Sequence, residues 1–299
     1  MGWVMDLRQL NTFVQVAELG SLSRASDRLR IAQPALSRQI RLLEHELRTP
    51  LFVRHGRGMV LTDAGRILLD RTARLVHRLE QARADVLACS GNPGGRVIIG
   101  MVPTVGGTLA ARLVQRVVEQ LPGVELRLVE AYGSYLTEWL YKGEIDLAVV
   151  YGPQQNVHLR TIALRQDELQ LVSAPGGWLD GRETVTLDQL EGRPLVLPSA
   201  PHALRVLIEK AFAEADVPLV VRVEADSFQP LVEVAMSGVG STFLPHYAVA
   251  RLIERGLLVS ARIEPALLRE IVLALPARHL EFSASRAVAD IIQQIVTEI

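Results

Sequence analysis

Cysteine is nearly absent: Cys89 stands alone in 299 residues. A lone thiol excludes an intrachain disulfide and any multi-cysteine metal site, and it predicts residence in a reducing compartment, the cytoplasm. Lysine is almost as scarce, with only Lys142 and Lys210, so arginine supplies nearly all the positive charge. Richness in arginine says nothing by itself, whereas clustering on one element would. No stretch approaches the ~20 apolar residues of a membrane span, so no membrane partner is expected. The opening "MGWVM" is uncharged and too short for a secretory segment, and Met5, directly before Asp6, can equally be the start.

Catalytic signatures are missing as well. "GVGSTF" at 238–243 lacks the third glycine of a dinucleotide fingerprint, and "GMVPTVGG" at 100–107 lacks the GKS or GKT ending of a phosphate loop. The seven histidines show neither HExxH nor paired metal spacing, and no serine sits in a GxSxG elbow. No enzyme, metal site or cofactor is therefore expected.

What is present is a chain long enough for at least two cores. Its net charge is only −1, but the charge is unevenly distributed. Up to Ser90 there are 14 arginines against 9 acidic residues, a balance of +5; beyond it 18 basic residues face 24 acidic ones, a balance of −6. The small N-terminal part is the basic one.

Asp6 can cap a helix in which Leu7, Leu10, Phe13, Val14 and Ala17 recur at helical spacing, and Gly20 can close it. Ser21 and Ser23 are candidate caps for a short second helix, and "QPALSRQIRLLEHEL" forms a third. Pro34 falls in its first turn, where a missing N–H costs nothing. At 100° per residue Leu36, Ile40, Leu43 and Leu47 form one stripe, and Pro34, Ser37, Arg38, Arg41 and His45 lie opposite. That is a helix-turn-helix arrangement, in which the second helix of the pair enters the DNA major groove. Gln33 and Ser37 can read base edges, Arg38 can pair with guanine and Arg41 can reach a phosphate. A merely solvated helix face is the competing reading. "PLFVRHGRGMVLT" at 50–62 then predicts two strands around "HGRG", a wing carrying Arg54, His55 and Arg57.

Thr62 caps a run without proline from Asp63 to about Ser90, roughly 40 Å of helix. Leu68, Thr72, Leu75, Leu79, Ala82, Val86 and Cys89 occupy a heptad seam, which suggests pairing with a second copy; packing on the chain's own body is the alternative. Cys89 reads as a packing residue on that seam, with redox sensing the other possibility.

The segment from Gln9 to Gly65, with "QPALS" at 33–37, "PLF" at 50–52 and "LTDAG" at 61–65, resembles the N-terminal domain of the LysR-type transcriptional regulators. The resemblance implies that Gln33, Pro34, Ser37 and Arg38 face double-stranded DNA, with Arg54 and Arg57 supporting from the wing; Ser23 and Arg41 are assigned to the same surface. Ala32 departs from the serine often found beside this helix, which removes a hydroxyl cap or a phosphate contact.

After "GNPGG" at 91–95, apolar strands alternate with helices, the pattern of parallel βαβ units. By resemblance this half is a periplasmic-binding-protein-like effector domain. The expected fold is thus α/β with an N-terminal winged helix-turn-helix (1–62), a long linker helix (63–90), a hinge (91–95) and a two-lobed effector domain (96–299). Lobe I would comprise about 96–162 and 267–299, and lobe II about 163–266. A cleft between such lobes suits a small ligand at strand C-termini and helix N-termini. The "PTVGGT" loop at 103–108, with Pro103 and Thr104, can hold an anionic group. Ser134, Ser199 and Ser227 occupy comparable strand-to-helix positions, and Tyr132, Tyr151, His202 and Phe228 can line the walls. Each alone also reads as an ordinary helix cap or core group; Thr104 and Ser199 lead the set.

A transport receptor would share the two lobes but needs export, and an architectural DNA-binding protein would not need the cleft. The expectation is a cytoplasmic, bacterial regulator that binds an inverted repeat as a homodimer or homotetramer, responds to a small-molecule co-inducer and acts on RNA polymerase. A regulator working without ligand is the alternative.

Overall fold

A computed structural model describes residues 5–55, 58–88, 93–152, 159–276 and 284–298. They fall into two compact units divided between Gly95 and Arg96, with Lys142–Glu144 counted to the first.

In the first unit, the Asp6 carboxylate accepts from the Arg8 N–H at 3.0 Å and opens α1 (Leu7–Leu19). Gly20 ends the helix in the left-handed region at φ 62°, where a residue with a Cβ is strained. Ser21 caps α2 (Leu22–Leu29), and α3 (Gln33–Leu47) follows after a tight turn. Leu36, Ile40 and Leu43 are buried with Phe13, Val16 and Ala25, so the stripe of α3 is core-facing. The Glu44 carboxylate accepts from the N–H groups of Leu51 and Phe52, at 2.8 and 3.2 Å. Those bonds dock β1 (Phe52–His55), which pairs antiparallel with β2 (Gly58–Leu61). Arg57 at the wing tip lies outside the described residues.

Helix α4 (Asp63–Ala88) starts at Thr62, whose hydroxyl accepts from the Gly65 N–H at 3.0 Å and donates to the Pro50 carbonyl at 2.7 Å. Gly65 passes so close to the wing that a Cβ there would lie 2.2 Å from the Leu51 carbonyl oxygen. The seam predicted for pairing divides in two. Leu68 packs against the unit's own core and Thr72 is 5 % exposed, because α4 lies along α1 at its start. That end of the seam is covered in part by the unit's own core, with Leu68 half-buried. Leu75, Leu79 and Val86 are 56, 48 and 72 % exposed. Cys89 lies outside the described residues.

The second unit begins with β3 (Gly95–Met101), α5 (Pro103–Gln120), β4 (Val124–Glu130), α6 (Gly133–Lys142) and β5 (Leu147–Gly152). Then come β6 (Leu159–Ser173), β7 (Thr184–Thr186), a 3-10 turn at Asp188–Leu190, β8 (Leu195–Leu197), α7 (Ala203–Glu214), β9 (Val221–Glu224) and α8 (Phe228–Met236). The unit closes with β10 (Thr242–Pro245), α9 (His246–Glu254), β11 (Val259–Pro276) and α10 (Ala284–Thr297). The strands run β10-β6-β11-β5-β3-β4, with β7 beside β11 and β8 paired to β9. Parallel pairing holds for β3 with β5 and β8 with β9. It fails for β6 with β11, which pair antiparallel from Ser173↔Val259 to Leu159↔Pro276. One strand carries the chain from the first lobe to the second and the other brings it back, so they must oppose.

Each lobe has its own core. The first gathers Val97, Ile99, Leu109, Leu147 and Val149 with Leu273, Val288, Ile292 and Ile295 from the last strand and helix. The second packs both faces of its strands, Leu171, Leu197, Ile208 and Phe243 on one side and Val172, Val196, Leu231 and Val249 on the other. The loop expected at "PTVGGT" is helical, because Pro103 at the first turn starts α5 there; Ser134 likewise lies inside α6. No helix among the described residues is long and apolar enough to cross a membrane.

Candidate functional site

The outward face of α3 keeps Gln33, Pro34, Arg38 and Arg41 exposed and Ser37 half-buried. Ala32 is the N-cap residue and supplies no side-chain bond, so no side chain caps the first turn. Arg41 folds back, its Nε donating to the Ser37 carbonyl at 3.4 Å. Ser23 is exposed at the start of α2. Gln33, Ser37, Arg38 and Arg41 offer donors here, and among the described residues no acidic side chain is paired with either arginine, which suits a polyanion.

The second site is a cavity of about 230 Å³ between the lobes. Of the residues anticipated for it, Pro103, Thr104, Tyr132, Ser134, Tyr151, His202, Ser227 and Phe228 line it. Ser199 does not. Its N–H and hydroxyl both donate to Asp226 Oδ1 at 2.7 Å, so it orients the carboxylate that does line the wall. Those two bonds, the hydroxyl's foremost, hold the Asp226 pKa below its usual value. Ser227 makes no capping bond to α8.

The floor is polar, and the ion pair at its centre was not legible in the sequence. Asp167 on β6 and Arg269 on β11 are direct cross-strand neighbours. Arg269 Nε donates to Asp167 Oδ2 at 3.0 Å, with the side chains 11 and 2 % exposed. Arg269 Nη2 also donates to the Tyr151 hydroxyl at 2.6 Å, and the guanidinium lies over that ring, 3.5 Å from its centroid. Tyr151 in turn sits 2.5 Å from Thr104 Oγ1, and the Tyr247 hydroxyl donates to Asp167 Oδ2 at 3.3 Å. Burial raises the pKa of both tyrosines, so their hydroxyls remain protonated.

On the opposite wall His202 meets the Tyr132 ring edge-on, centroids 5.2 Å apart. Its Nδ1 accepts from the Leu204 N–H at 3.1 Å at the start of α7, and burial, then Arg269, lower its pKa. A neutral ring accepting at Nδ1 carries its proton on Nε2. Val102, Pro198, Pro201, Leu231 and Leu244 complete an apolar lining. No group of three or more His, Cys, Asp or Glu side chains among the described residues is placed to hold a metal.

Two family models match: "Bacterial regulatory helix-turn-helix protein, lysR family" over residues 7–66 and "LysR substrate binding domain" over residues 90–296. The HTH-type transcriptional regulator BbuR of Bordetella bronchiseptica is 33 % identical over 256 residues, covering 86 % of this chain and 79 % of that protein. The nitrogen assimilation regulatory protein nac of Escherichia coli is 31 % identical over 298 residues, covering 98 % and 96 %. Among solved structures, a Corynebacterium glutamicum OxyR C206 mutant superposes with a TM-score of 0.68 at 26 % identity, covering all of this chain and 94 % of that one.

Proposed function

The chain belongs to the LysR family of transcriptional regulators, and on that premise we propose that it binds an inverted-repeat promoter site and is switched by a small co-inducer held between its lobes. The observation that carries the first part is the division of α3. Its Leu36, Ile40 and Leu43 are buried while Gln33, Pro34, Arg38 and Arg41 remain outside, with Ser37 half-covered. In this reading Arg38 and Gln33 read base edges and Arg41 holds a phosphate. The exposed Leu75, Leu79 and Val86 of α4 pair two copies, giving half-sites spaced by whole helical turns. Pairs of dimers associate into a tetramer that bends DNA and alters access of RNA polymerase in a bacterial cytoplasm.

Support for the second part is the apolar cavity with convergent polar groups on its floor. A ligand there shifts the lobe arrangement by binding one state more tightly than the other. The test is a footprint on promoter DNA, with wild-type protein and Thr104→Val compared in an inducer-responsive reporter. Two protected half-sites, and a variant that still protects them without responding, are the expected results. No protection at low salt would overturn DNA recognition by α3; an undiminished response would overturn the cleft reading.

A further inference from the structure

Among the described residues other than glycine, three hold a positive φ: Arg30 at 54°, Arg48 at 51° and Asp216 at 57°. Aspartate is enriched in that region, whereas a long side chain there brings its Cβ against the following carbonyl. The two arginines close α2 and α3. Arg48 lies at the end of α3 away from Gln33. Arg30 lies in the turn just before Gln33, where the chain enters the exposed face of α3.

That turn is pinned from both sides of Arg30. The Arg30 N–H donates to the Ser26 carbonyl, the Ile31 N–H donates to the same carbonyl at 3.3 Å, and the Ser26 hydroxyl donates to the Ile31 carbonyl at 2.7 Å. A helix end closed in this left-handed way favours glycine, which adopts it without strain. Arginine brings the strain and gives the unit nothing in return, since its side chain is exposed and is held by no hydrogen bond or ion pair among the described residues. A strained residue with no contact inside the fold points to a contact outside it.

Next to it, the backbone at the start of α3 has little left for an anion. Ala32 gives no side-chain cap, Pro34 has no N–H, and the N–H groups of Ala35 and Leu36 already donate to the Ala32 carbonyl at 2.9 and 3.2 Å. A donor for a phosphate at this end has to come from a side chain. Resting on the reading of α3 as the DNA-facing helix, we propose that Arg30 is a further DNA-binding residue: it holds a backbone phosphate at the entry to α3, and it destabilises the turn that carries it.

The test compares the full-length wild type with Arg30→Gly, Arg30→Asn and Arg30→Lys, in urea unfolding and in anisotropy titrations against the footprinted promoter fragment and a random duplex of equal length. Arg30→Gly should raise the urea midpoint. It should also weaken binding to both duplexes by about fivefold and flatten the salt dependence by about one unit of slope for each bound subunit. Arg30→Asn, which accepts the same φ without the freedom of glycine, should weaken binding as much, and Arg30→Lys should keep the salt slope. A midpoint for Arg30→Gly no higher than wild type would overturn the destabilising role. Unchanged affinity and slope in the Gly and Asn variants would overturn the phosphate contact, as would a loss confined to the promoter fragment, which marks a reader of bases. If Arg38→Ala still weakens binding in that case, the DNA-facing reading of α3 stands; if it too has no effect, both fall.

Discussion

The outer face of α3 and the floor of the interlobe cavity both concentrate arginine, yet they handle it in opposite ways. On α3, Arg38 and Arg41 are both exposed, Arg41 bent back to the Ser37 carbonyl, and no acidic side chain among the described residues bonds to either. In the cavity Arg269 is held by the buried Asp167 carboxylate of β6 and by the hydroxyl and ring of Tyr151 on β5. The first arrangement leaves charge exposed, and on the proposed reading its removal should cost DNA binding without harming the fold. The second fixes charge in one direction, and its removal costs the fold first.

The sharpest way to break this contrast is Asp167→Ala, which leaves Arg269 largely buried without its counter-ion. We expect a loss of about 3–5 kcal/mol in urea unfolding. A loss below about 1 kcal/mol would mean that the cavity floor behaves like a surface pair. Arg38→Ala should do the reverse, costing about 1–3 kcal/mol of DNA affinity in gel-shift titrations with relaxed specificity. Its unfolding free energy should stay within about 0.5 kcal/mol of wild type. Ala32→Ser supplies the missing cap of α3 and should stabilise the chain by about 1 kcal/mol, read as a higher urea midpoint.

The smallest effect concerns pH. His202 has a folded pKa below the ordinary 6.5 of a free imidazole, so the unfolded chain takes up this proton first. Its contribution is complete above about pH 6.5 and is lost as pH falls toward the folded value. Between about pH 7.5 and 5.5 the wild type should lose more stability than His202→Asn, in which the N-cap acceptor is retained.

The contrast also decides what was legible in the sequence. The α3 face follows from a 3.6-residue period and Pro34 in the first turn, both local properties of fifteen residues. Thr104, Tyr132, His202 and Phe228 were reachable because each stands at or beside a strand-to-helix junction. Arg269 and Asp167 were not, since they are 102 residues apart and meet only through the register of β6 against β11. Nothing in "RQDELQL" or "LREIVLALP" says which way these strands run, and their antiparallel pairing defeated the expectation of parallel units. Ser199 failed for the complementary reason: its position was right, but its hydroxyl was already taken by Asp226.

The route of the chain through its two lobes sets an order of assembly during synthesis. The second lobe draws its cores from one uninterrupted stretch, Leu169 to Leu267, and can close as soon as that stretch leaves the ribosome. The first lobe cannot. Its strands around Val97 and Leu147 wait, with their apolar faces open, for Leu273 and for Val288, Ile292 and Ile295 of α10. A stalled or clipped product lacking α10 would therefore hold a finished second lobe beside an unfinished first, a natural substrate for chaperones and proteases.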